Sequence, residues 1–308
     1  MSEATQLDKF AQVVRKLDPH GTLLRAWALQ GGVSAQVTAL EIARPDGETQ
    51  KLLVRQHGAV DRAYNPNIAA DEYRLLQLLQ SAGVAAPAPY LLDQSGEIFP
   101  APYLVIAYIE GEPDVAPTDL SGYIRQFAMQ LARIHAVDRE HLDLSFLPEQ
   151  TRRYAHKLRE RPAILDDSLD EGHIRDTLAS VWPPPQRNPS VLLHGDYWPG
   201  NILWHAGQLV AVIDWEDAAV GDPLFDLANS RLEILWAFGT NAMERFTQHY
   251  IAMNAIDLTN LPYWDLCAAL RPASKLGEWA ADAATEQRMR DGHRWFITQA
   301  FAKLSGRT

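Results

Sequence analysis

The most informative segment of this 308-residue chain reads Leu193-His194-Gly195-Asp196-Tyr197-Trp198-Pro199-Gly200-Asn201-Ile202-Leu203, and Val212-Ile213-Asp214-Trp215-Glu216 follows it. Both segments continue short apolar runs that are typical of strands. Asp196 and Asn201 can point from one tight loop into one site, and Asp214 at the end of the next strand can face the same point. Converging oxygen-bearing side chains suit Mg²⁺, and a carboxylate that is not bound to metal can accept a proton from a hydroxyl. Either segment alone also fits turn-forming residues between buried strands, but their combination and order favour a functional site.

This combination resembles the aminoglycoside phosphotransferase family, which shares the protein-kinase-like fold. The order of the other elements agrees with that family over nearly the whole chain. The resemblance implies that Asp196 is the catalytic base and that Asn201 and Asp214 hold Mg²⁺. It also implies that His194 supports the loop by hydrogen bonding, although a buried core histidine describes this residue equally well.

Hydrophobic periodicity changes character near residue 110. The earlier part shows an amphipathic helix, a meander of strands, one further helix and two more strands. These stretches are Leu7 to Leu17, Thr22 to Leu29, Gln36 to Ala43, Leu52 to Val54, Ile68 to Leu79, Tyr90 to Leu92 and Tyr103 to Ile109. Helices dominate from Leu120 onward, interrupted by the apolar segments Val191 to Leu193 and Leu209 to Ile213.

This pattern predicts an α+β fold with two lobes, and the resemblance implies that the fold is protein-kinase-like. Residues 1–110 are expected to form a small antiparallel-sheet lobe with one main helix, which binds nucleotide. The hinge is expected at about residues 107–113. Residues 111–308 are expected to form a larger, mostly helical lobe that carries the catalytic loop, the metal site and the acceptor pocket.

The first lobe offers candidates for phosphate binding. Gly31, Gly32 and Ser34 join two strands and resemble the loop that covers phosphates, although an ordinary hairpin turn fits them too. Arg55 ends the third strand where kinases carry a phosphate-pairing lysine, and a forked guanidinium changes the geometry there. Glu72 on the following helix would pair with Arg55. Alternatively, Arg55 is a surface cation of the strand and Glu72 is a solvated acid on the face of its helix.

Three further assignments rest on the resemblance alone. The carbonyl of Ala107 and the N–H of Ile109 are the candidates for binding adenine, because the family uses backbone groups of the hinge strand. His135 is expected to pack against the catalytic loop. Asp222 or Asp226 would cap the next helix or hold the backbone of that loop.

Composition excludes several classes of protein. The formal net charge of −11 argues against a nucleic-acid partner. The single Cys267 excludes a disulfide framework, and its apolar surroundings in the sequence predict a buried thiol without catalytic chemistry. No apolar run is long enough for a membrane span. The polar, acidic N-terminus lacks a signal-peptide pattern, so we expect no membrane partner and a cytoplasmic location.

The resemblance implies an ATP-dependent phosphotransferase that moves the γ-phosphate to a hydroxyl of a small molecule. An aminoglycoside-like compound, an amino alcohol or a sugar is the expected acceptor, and ATP and Mg²⁺ are the expected cofactors. Acceptor contacts are expected from residues 271–279 and Asp282, a stretch that also fits a solvated helix. Four acids would form a cleft for a cationic acceptor: Glu216, Asp217, Glu278 and Asp282.

Two alternatives remain at this stage. The chain could be a catalytically weak nucleotide- or ligand-binding member of the fold, or a metal-dependent hydrolase that uses the same carboxylates. A protein kinase is disfavoured because Trp215-Glu216 follows Asp214 in place of Phe-Gly and no Ala-Pro-Glu is present.

Overall fold

The computed structural model describes residues 3–29, 35–138 and 142–306, with side chains from residue 5 onward. These residues divide into two units. The first comprises residues 1–110 and 211–216, and the second comprises residues 111–210 and 217–308. Residues 211–216, which the sequence pattern assigns to the second lobe, therefore group with the first unit.

An antiparallel sheet of five strands forms the first unit, in the order β1-β2-β3-β5-β4. The turn between β2 and β3 follows from Gly47, whose φ of +88° lies in the left-handed region that favours glycine. The elements of this unit are α1 (Glu3–Leu17), β1 (Thr22–Ala28), β2 (Ala35–Ala43), β3 (Thr49–His57), α2 (Ala59–Tyr64), α3 (Ile68–Ser81), β4 (Pro89–Asp93) and β5 (Tyr103–Ala107).

The core of the first unit lies between α1 and the sheet. The helix buries one face, which carries Phe10, Val13 and Val14, because these positions recur at helical spacing. The sheet contributes alternate residues of its strands, which point to the same side. The buried sheet residues of this cluster are Leu40, Ile42, Leu52, Val54, Tyr103 and Val105.

Helices dominate the second unit. A short antiparallel pair, β6 and β9, and the β7–β8 hairpin interrupt them. Helices α4, α7, α8, α9 and α11 enclose its apolar interior. The elements are α4 (Leu120–His135), α5 (Gln150–Arg159), α6 (Glu171–Val181), β6 (Val191–Leu193), β7 (Ile202–His205), β8 (Gln208–Val212), β9 (Ala219–Gly221), α7 (Leu224–Phe238), α8 (Thr240–Met253), α9 (Leu261–Ala269), α10 (Leu276–Trp279) and α11 (Ala283–Ser305).

The predicted fold class, an antiparallel sheet with a main helix followed by a helical region, is confirmed. The element ends differ by a few residues. Strand β5 ends at Ala107 and not at Ile109. Helix α4 begins at Leu120 as predicted, because the Asp119 side chain accepts a hydrogen bond from the Gly122 N–H at 2.9 Å. Across the described ranges, no helix combines the length and apolarity needed to cross a membrane.

Candidate active site

Arg55 lies near the end of β3 and binds three carboxylates of the first unit. Its Nε donates to Glu72 Oε2 at 3.2 Å, so the predicted pair with helix α3 forms. Its Nη2 donates to Asp214 Oδ1 at 2.6 Å and to Glu216 Oε2 at 2.7 Å. A forked guanidinium can serve several acceptors in this way, whereas an ammonium is a single point charge.

His57 is a second partner of Glu72 that sequence reasoning missed. Its Nε2 lies 2.7 Å from Glu72 Oε2, and its side chain is fully buried. Arg55 and His57 are two positions apart on β3, so both side chains point to the same face of the sheet. That spacing was the available signal, because Glu72 faces that side of the strand.

The opposite charges of Arg55 and its carboxylate partners shift the pKa values of Arg55 and Glu72 toward their charged forms. Burial opposes the charge on Arg55, but the surrounding carboxylates outweigh it and raise the pKa of Arg55 above its ordinary value. Burial also opposes ionisation of Glu72, and the charge of Arg55 with the hydrogen bond from His57 lowers the pKa of Glu72 below its ordinary value. The group therefore holds one permanent cation against more than one carboxylate.

Asp214 follows β8 in a strained backbone conformation. Its φ of +67° lies in the left-handed region, which is uncommon for a residue other than glycine. The segment is anchored to the first unit by the Val212 N–H, which donates to the Ala85 carbonyl at 2.8 Å. Asp214 keeps a third of its side chain exposed. A carboxylate oxygen held in this way is chemically suited to a hard cation.

The predicted nucleotide site has two other parts, the adenine contacts and the phosphate loop, and the structure describes only the first. Ala107 is the last residue of β5, and its N–H donates to the Ala88 carbonyl at 2.8 Å. Within the described ranges, the N–H of Ile109 has no hydrogen-bond partner, which leaves a backbone donor available there. Gly31, Gly32 and Ser34 lie outside the described residues.

In the second unit, Asp226 holds the backbone of the loop that follows β6. Its carboxylate accepts the His194 N–H at 2.7 Å and the Gly195 N–H at 3.0 Å. His135 Nε2 lies 3.2 Å from the same carboxylate. Burial opposes ionisation of Asp226, yet these partners outweigh it and lower the pKa of Asp226. Of the two acids predicted to be scaffold, Asp226 is thus the one that binds the loop.

Gly195 is required at its position. Its φ is +86°, and a Cβ there would lie 2.1 Å from the carbonyl oxygen of Asp217. No side chain fits such an approach. The loop can therefore turn sharply after His194, whose side chain is fully buried, and this turn leaves the side chain of Asp196 about a quarter exposed.

Asn201 orients Asp196 from the far end of the same loop. Its Nδ2 donates to the Asp196 carbonyl at 2.9 Å and to Asp196 Oδ2 at 3.2 Å. Because the amide nitrogen is used in this way, the amide oxygen is left for another partner. Oxygen donors of this kind fit Mg²⁺ by their chemistry, so both residues predicted to bind metal, Asn201 and Asp214, present suitable atoms.

Arg271, which follows α9, forms an ion pair with Asp196. Its Nη2 donates to Asp196 Oδ1, and its Nη1 donates to the Gly195 carbonyl at 3.0 Å. Burial opposes the charge on Arg271, but nearby acids raise its pKa, with Asp196 the strongest of them. Arg271 lies in the stretch predicted to contact the acceptor, but its contact with the predicted base was not predicted.

The four acids predicted to line an acidic cleft belong to two units, and three of them have partners within their own unit. Glu216 pairs with Arg55. Asp217 pairs with Arg153 at 2.5 Å between Oδ1 and Nη2. Asp282 caps α11 by accepting the Thr285 N–H at 2.7 Å, and Glu278 lies exposed in α10. The ion pairs of Glu216 and Asp217 join residues that are distant in the chain, which spacing alone does not reveal.

Glu233 in α7 supplies a pH-dependent prediction. Burial raises its pKa from the ordinary 4.5 to about 7, with a further contribution from Asp196 and opposition from Arg271. The folded chain therefore binds a proton that the unfolded chain releases, so stability falls as pH rises from 4.5 to about 7. Glu233→Gln should raise the free energy of unfolding above pH 7 by about 1–2 kcal/mol.

Denaturant unfolding at pH 5 and pH 8 tests this expectation. The gain should be seen at pH 8 and should shrink at pH 5, where the carboxyl of Glu233 is largely protonated in the folded chain. Glu244→Gln, an exposed position on α8, serves as the matched control and should show no such difference. Equal stability of wild type and Glu233→Gln at pH 8 would contradict the expectation.

Comparison with known proteins identifies related chains. Residues 25–270 match the model of the phosphotransferase enzyme family. Acyl-CoA dehydrogenase family member 11 from Rattus norvegicus is 26% identical over 237 residues, which cover 65% of this chain and 29% of that protein. The chain thus spans less than a third of the length of the curated relatives it matches.

Solved structures show the same fold. Aminoglycoside 2'-phosphotransferase-IIIa in complex with GDP has a TM-score of 0.66 at 17% identity, covering 94% of this chain and 98% of that chain. Amicoumacin kinase hAmiN in complex with AMP-PNP, Ca²⁺ and Ami also has a TM-score of 0.66, at 15% identity, covering 97% and 94%. At such identities the likeness concerns the fold.

Proposed function

Because this chain belongs to the phosphotransferase enzyme family, we propose that it transfers the γ-phosphate of ATP to a hydroxyl of a small molecule. The observation that carries the proposal is the geometry of the catalytic loop. Asp196 presents an accessible carboxylate on a loop fixed by Asp226, and Asn201 orients it. The family match and the nucleotide complexes of proteins with the same fold support it.

In this proposal Asp196 is the catalytic base. The acceptor hydroxyl attacks the γ-phosphorus, so that a new P–O bond forms as the bond from the γ-phosphorus to the oxygen that bridges it to the β-phosphate breaks. The hydroxyl proton passes to Asp196, and ADP leaves. Such a transition state needs positioning and charge stabilisation more than covalent help. Holding Asp196 through its carbonyl and its carboxylate limits the motion of the base.

Arg55 is the proposed clamp for the phosphates that are not transferred, with Glu72 and His57 fixing its position. Asn201 and Asp214 are the proposed ligands of Mg²⁺, and Ala107 and Ile109 are the proposed adenine contacts. When bound, Mg²⁺ would neutralise phosphate charge. Two surplus carboxylates beside Arg55 favour a divalent cation there, because they leave the group with negative charge.

Coupled measurement of nucleotide binding and ADP release tests the proposal. The chain with MgATP should show a raised melting temperature. It should also release ADP at a rate that rises with one class of acceptor among aminoglycosides, macrolides, amino alcohols, sugars and hydroxy acids. Phosphate release that no acceptor stimulates would point to a hydrolase. Nucleotide binding without turnover of any kind would point to a binding module.

Arg55→Lys should weaken nucleotide binding by about tenfold, since an ammonium keeps the charge but cannot serve three carboxylates and a phosphate at once. Titration of MgATP followed by thermal melting measures the change. Arg44→Lys makes the same exchange at an exposed position and should leave the affinity unaltered. If Arg55→Lys bound MgATP as tightly as wild type, the proposed role of Arg55 in nucleotide binding would be contradicted.

A further inference from the structure

Trp198 is an exposed aromatic residue on the loop that carries Asp196. It is 38% exposed, whereas its neighbours Tyr197 and Pro199 are buried. A single exposed apolar side chain is ordinary on a protein surface. Trp198 differs from that case in two respects, because its ring is supported by backbone and because it lies on the same side of the loop as the predicted base.

Gly200 supports the indole ring of Trp198. A Cβ built on Gly200 would lie 2.2 Å from Cη2 and 2.4 Å from Cζ2 of Trp198, so the six-membered ring lies directly against the glycine. The short 3₁₀ turn Pro199–Asn201 brings Gly200 to the ring, and the Asn201 N–H donates to the Trp198 carbonyl at 3.0 Å. The ring is therefore held in place, although more than a third of the residue is open to solvent.

Exposure alternates along the loop from Asp196 to Trp198. The side chain of Asp196 is about a quarter exposed, and Tyr197 is fully buried. The hydroxyl of Tyr197 donates to the Phe127 carbonyl at 2.9 Å, and its own carbonyl accepts Ser230 Oγ at 2.8 Å. Side chains of an extended segment point alternately to two sides, and the backbone of Trp198 is extended. Asp196 and Trp198 therefore face the same, open side of the loop.

Asn201 connects the predicted base with the supported ring. Its Nδ2 lies 3.2 Å from Asp196 Oδ2, and it directly follows Gly200, against which the ring packs. Consecutive Cα atoms are only about 3.8 Å apart. The carboxylate of Asp196 and the ring of Trp198 thus lie close enough for one small molecule to touch both.

We propose that Trp198 binds the acceptor, and that the acceptor carries an apolar face next to the hydroxyl that is phosphorylated. This inference rests on the proposed function and narrows the class of its acceptor. An indole ring that is already fixed offers a large apolar surface at a low cost in conformational entropy. The C–H face of a sugar ring, an alicyclic ring and an aryl group all have the chemistry that packs on such a surface. A short amino alcohol has no such face.

Binding to Trp198 can be measured without turnover. Saturation-transfer NMR of the full chain is recorded with methyl glucopyranoside, cyclohexanol and benzyl alcohol as separate probes. At least one probe should bind through its C–H groups, with affinity about tenfold lower in Trp198→Ala. Trp198→Phe keeps an apolar ring and should restore most of that affinity. Tyr90→Ala removes an aromatic side chain of similar exposure from β4 and should bind like wild type.

Gly200→Ala tests the support of the ring while leaving the ring in the chain. The added Cβ can be accommodated only if the ring moves, so probe affinity should fall by about fivefold to tenfold. Combined with Trp198→Ala, the same change should cause no further loss, because the side chain that it displaces is already absent. Additive losses would mean that Gly200→Ala acts through the loop itself, and equal affinity of all variants for every probe would likewise overturn the inference.

A panel of alcohols identifies the source of the apolar face. Pyranosides, alicyclic alcohols and aryl alcohols are compared with glycerol and ethanolamine by ADP release. At least one of the three apolar-faced series should exceed the hydrophilic alcohols by about tenfold or more in kcat/KM. Trp198→Ala should remove most of that preference through KM, with the affinity for MgATP unchanged in a melting titration.

Three outcomes of the panel would overturn the inference and leave the proposed function standing. The first is equal or better turnover of the hydrophilic alcohols. The second is a loss of MgATP affinity in Trp198→Ala with KM for the acceptor unchanged. The third is a rise in KM in Trp279→Ala, an indole 44% exposed in α10, with none in Trp198→Ala. Probe binding that depends on Trp198, without turnover of ATP on any acceptor, would overturn the proposed function instead.

Discussion

Asp196→Asn should reduce phosphoryl transfer by about 10²–10⁴-fold, because the amide cannot accept the acceptor's proton. The change is nearly isosteric. The side-chain oxygen of asparagine can still accept from Arg271, and the carbonyl of residue 196 can still accept from Asn201. The loop should therefore keep its position, and the loss should fall on kcat, with nucleotide affinity retained.

ADP release with a saturating acceptor, combined with a MgATP melting titration, separates these two effects. Asp176→Asn serves as a control, since it removes an exposed carboxylate of α6 that pairs with Arg161. Its turnover should match wild type. If Asp196→Asn kept turnover within about tenfold of wild type, a role as general base, with its usual contribution to rate, could not be assigned to this residue.

Asp226→Asn should lower the free energy of unfolding by about 3–5 kcal/mol. The side chain of Asp226 is fully buried and, beside His135, accepts two backbone N–H groups of the loop that carries Asp196. An amide in its place offers one acceptor and turns a donor toward an N–H, which leaves buried donors unpaired. The loop that carries Asp196 should lose its fixed position, so turnover should fall as well.

The effect of Asp226→Asn should depend on pH in a defined direction. Because the pKa of Asp226 is lowered in the folded chain, its contribution is fully present above the ordinary pKa of an aspartate and is lost as pH falls. Denaturant unfolding should thus show a smaller difference from wild type in acid than at pH 7.

Asp222→Asn is the matched control for Asp226→Asn. Burial raises the pKa of Asp222, and its Oδ1 accepts both the Leu224 N–H and the Asn188 side chain, which an amide oxygen can also do. Asp222→Asn should therefore lower the free energy of unfolding by about 1 kcal/mol or less. Equal costs for the two variants would mean that Asp226 does no more than fill space at the start of α7.

The fold class was predictable because it depends on local patterns. The spacing of Phe10, Val13 and Val14 predicts α1, and the alternation along β2 and β3 predicts the sheet. The family prediction, made from the segments around Asp196 and Asp214, is likewise confirmed by the family match over residues 25–270.

The site was predictable only in part, because side-chain partners are set by tertiary packing. The pair of Arg55 and Glu72 was anticipated from the resemblance to the kinase-like family. His57 was not, since its partner lies on another element, and Arg271 reaches Asp196 from 75 positions away in the chain. For the same reason the sequence did not reveal that Asp217 pairs with Arg153, which is 64 positions distant, and the acidic cleft stays a prediction. The roles of Asp196, Asn201 and Asp214 stay predictions for the experiments above.

The assignment of residues 211–216 to the first unit bears on how such chains can be recombined. A fragment that ends at Glu110 would contain Arg55 and Glu72 but would lack Asp214 and Glu216, so its guanidinium would keep one of three carboxylates. A chimaera made with a relative by a single crossover at that point would pair Arg55 with foreign partners. Exchange of the first unit therefore requires two grafted segments, residues 1–110 and 211–216. Natural recombination at a single point would separate Arg55 from Asp214 and Glu216, which have to change together.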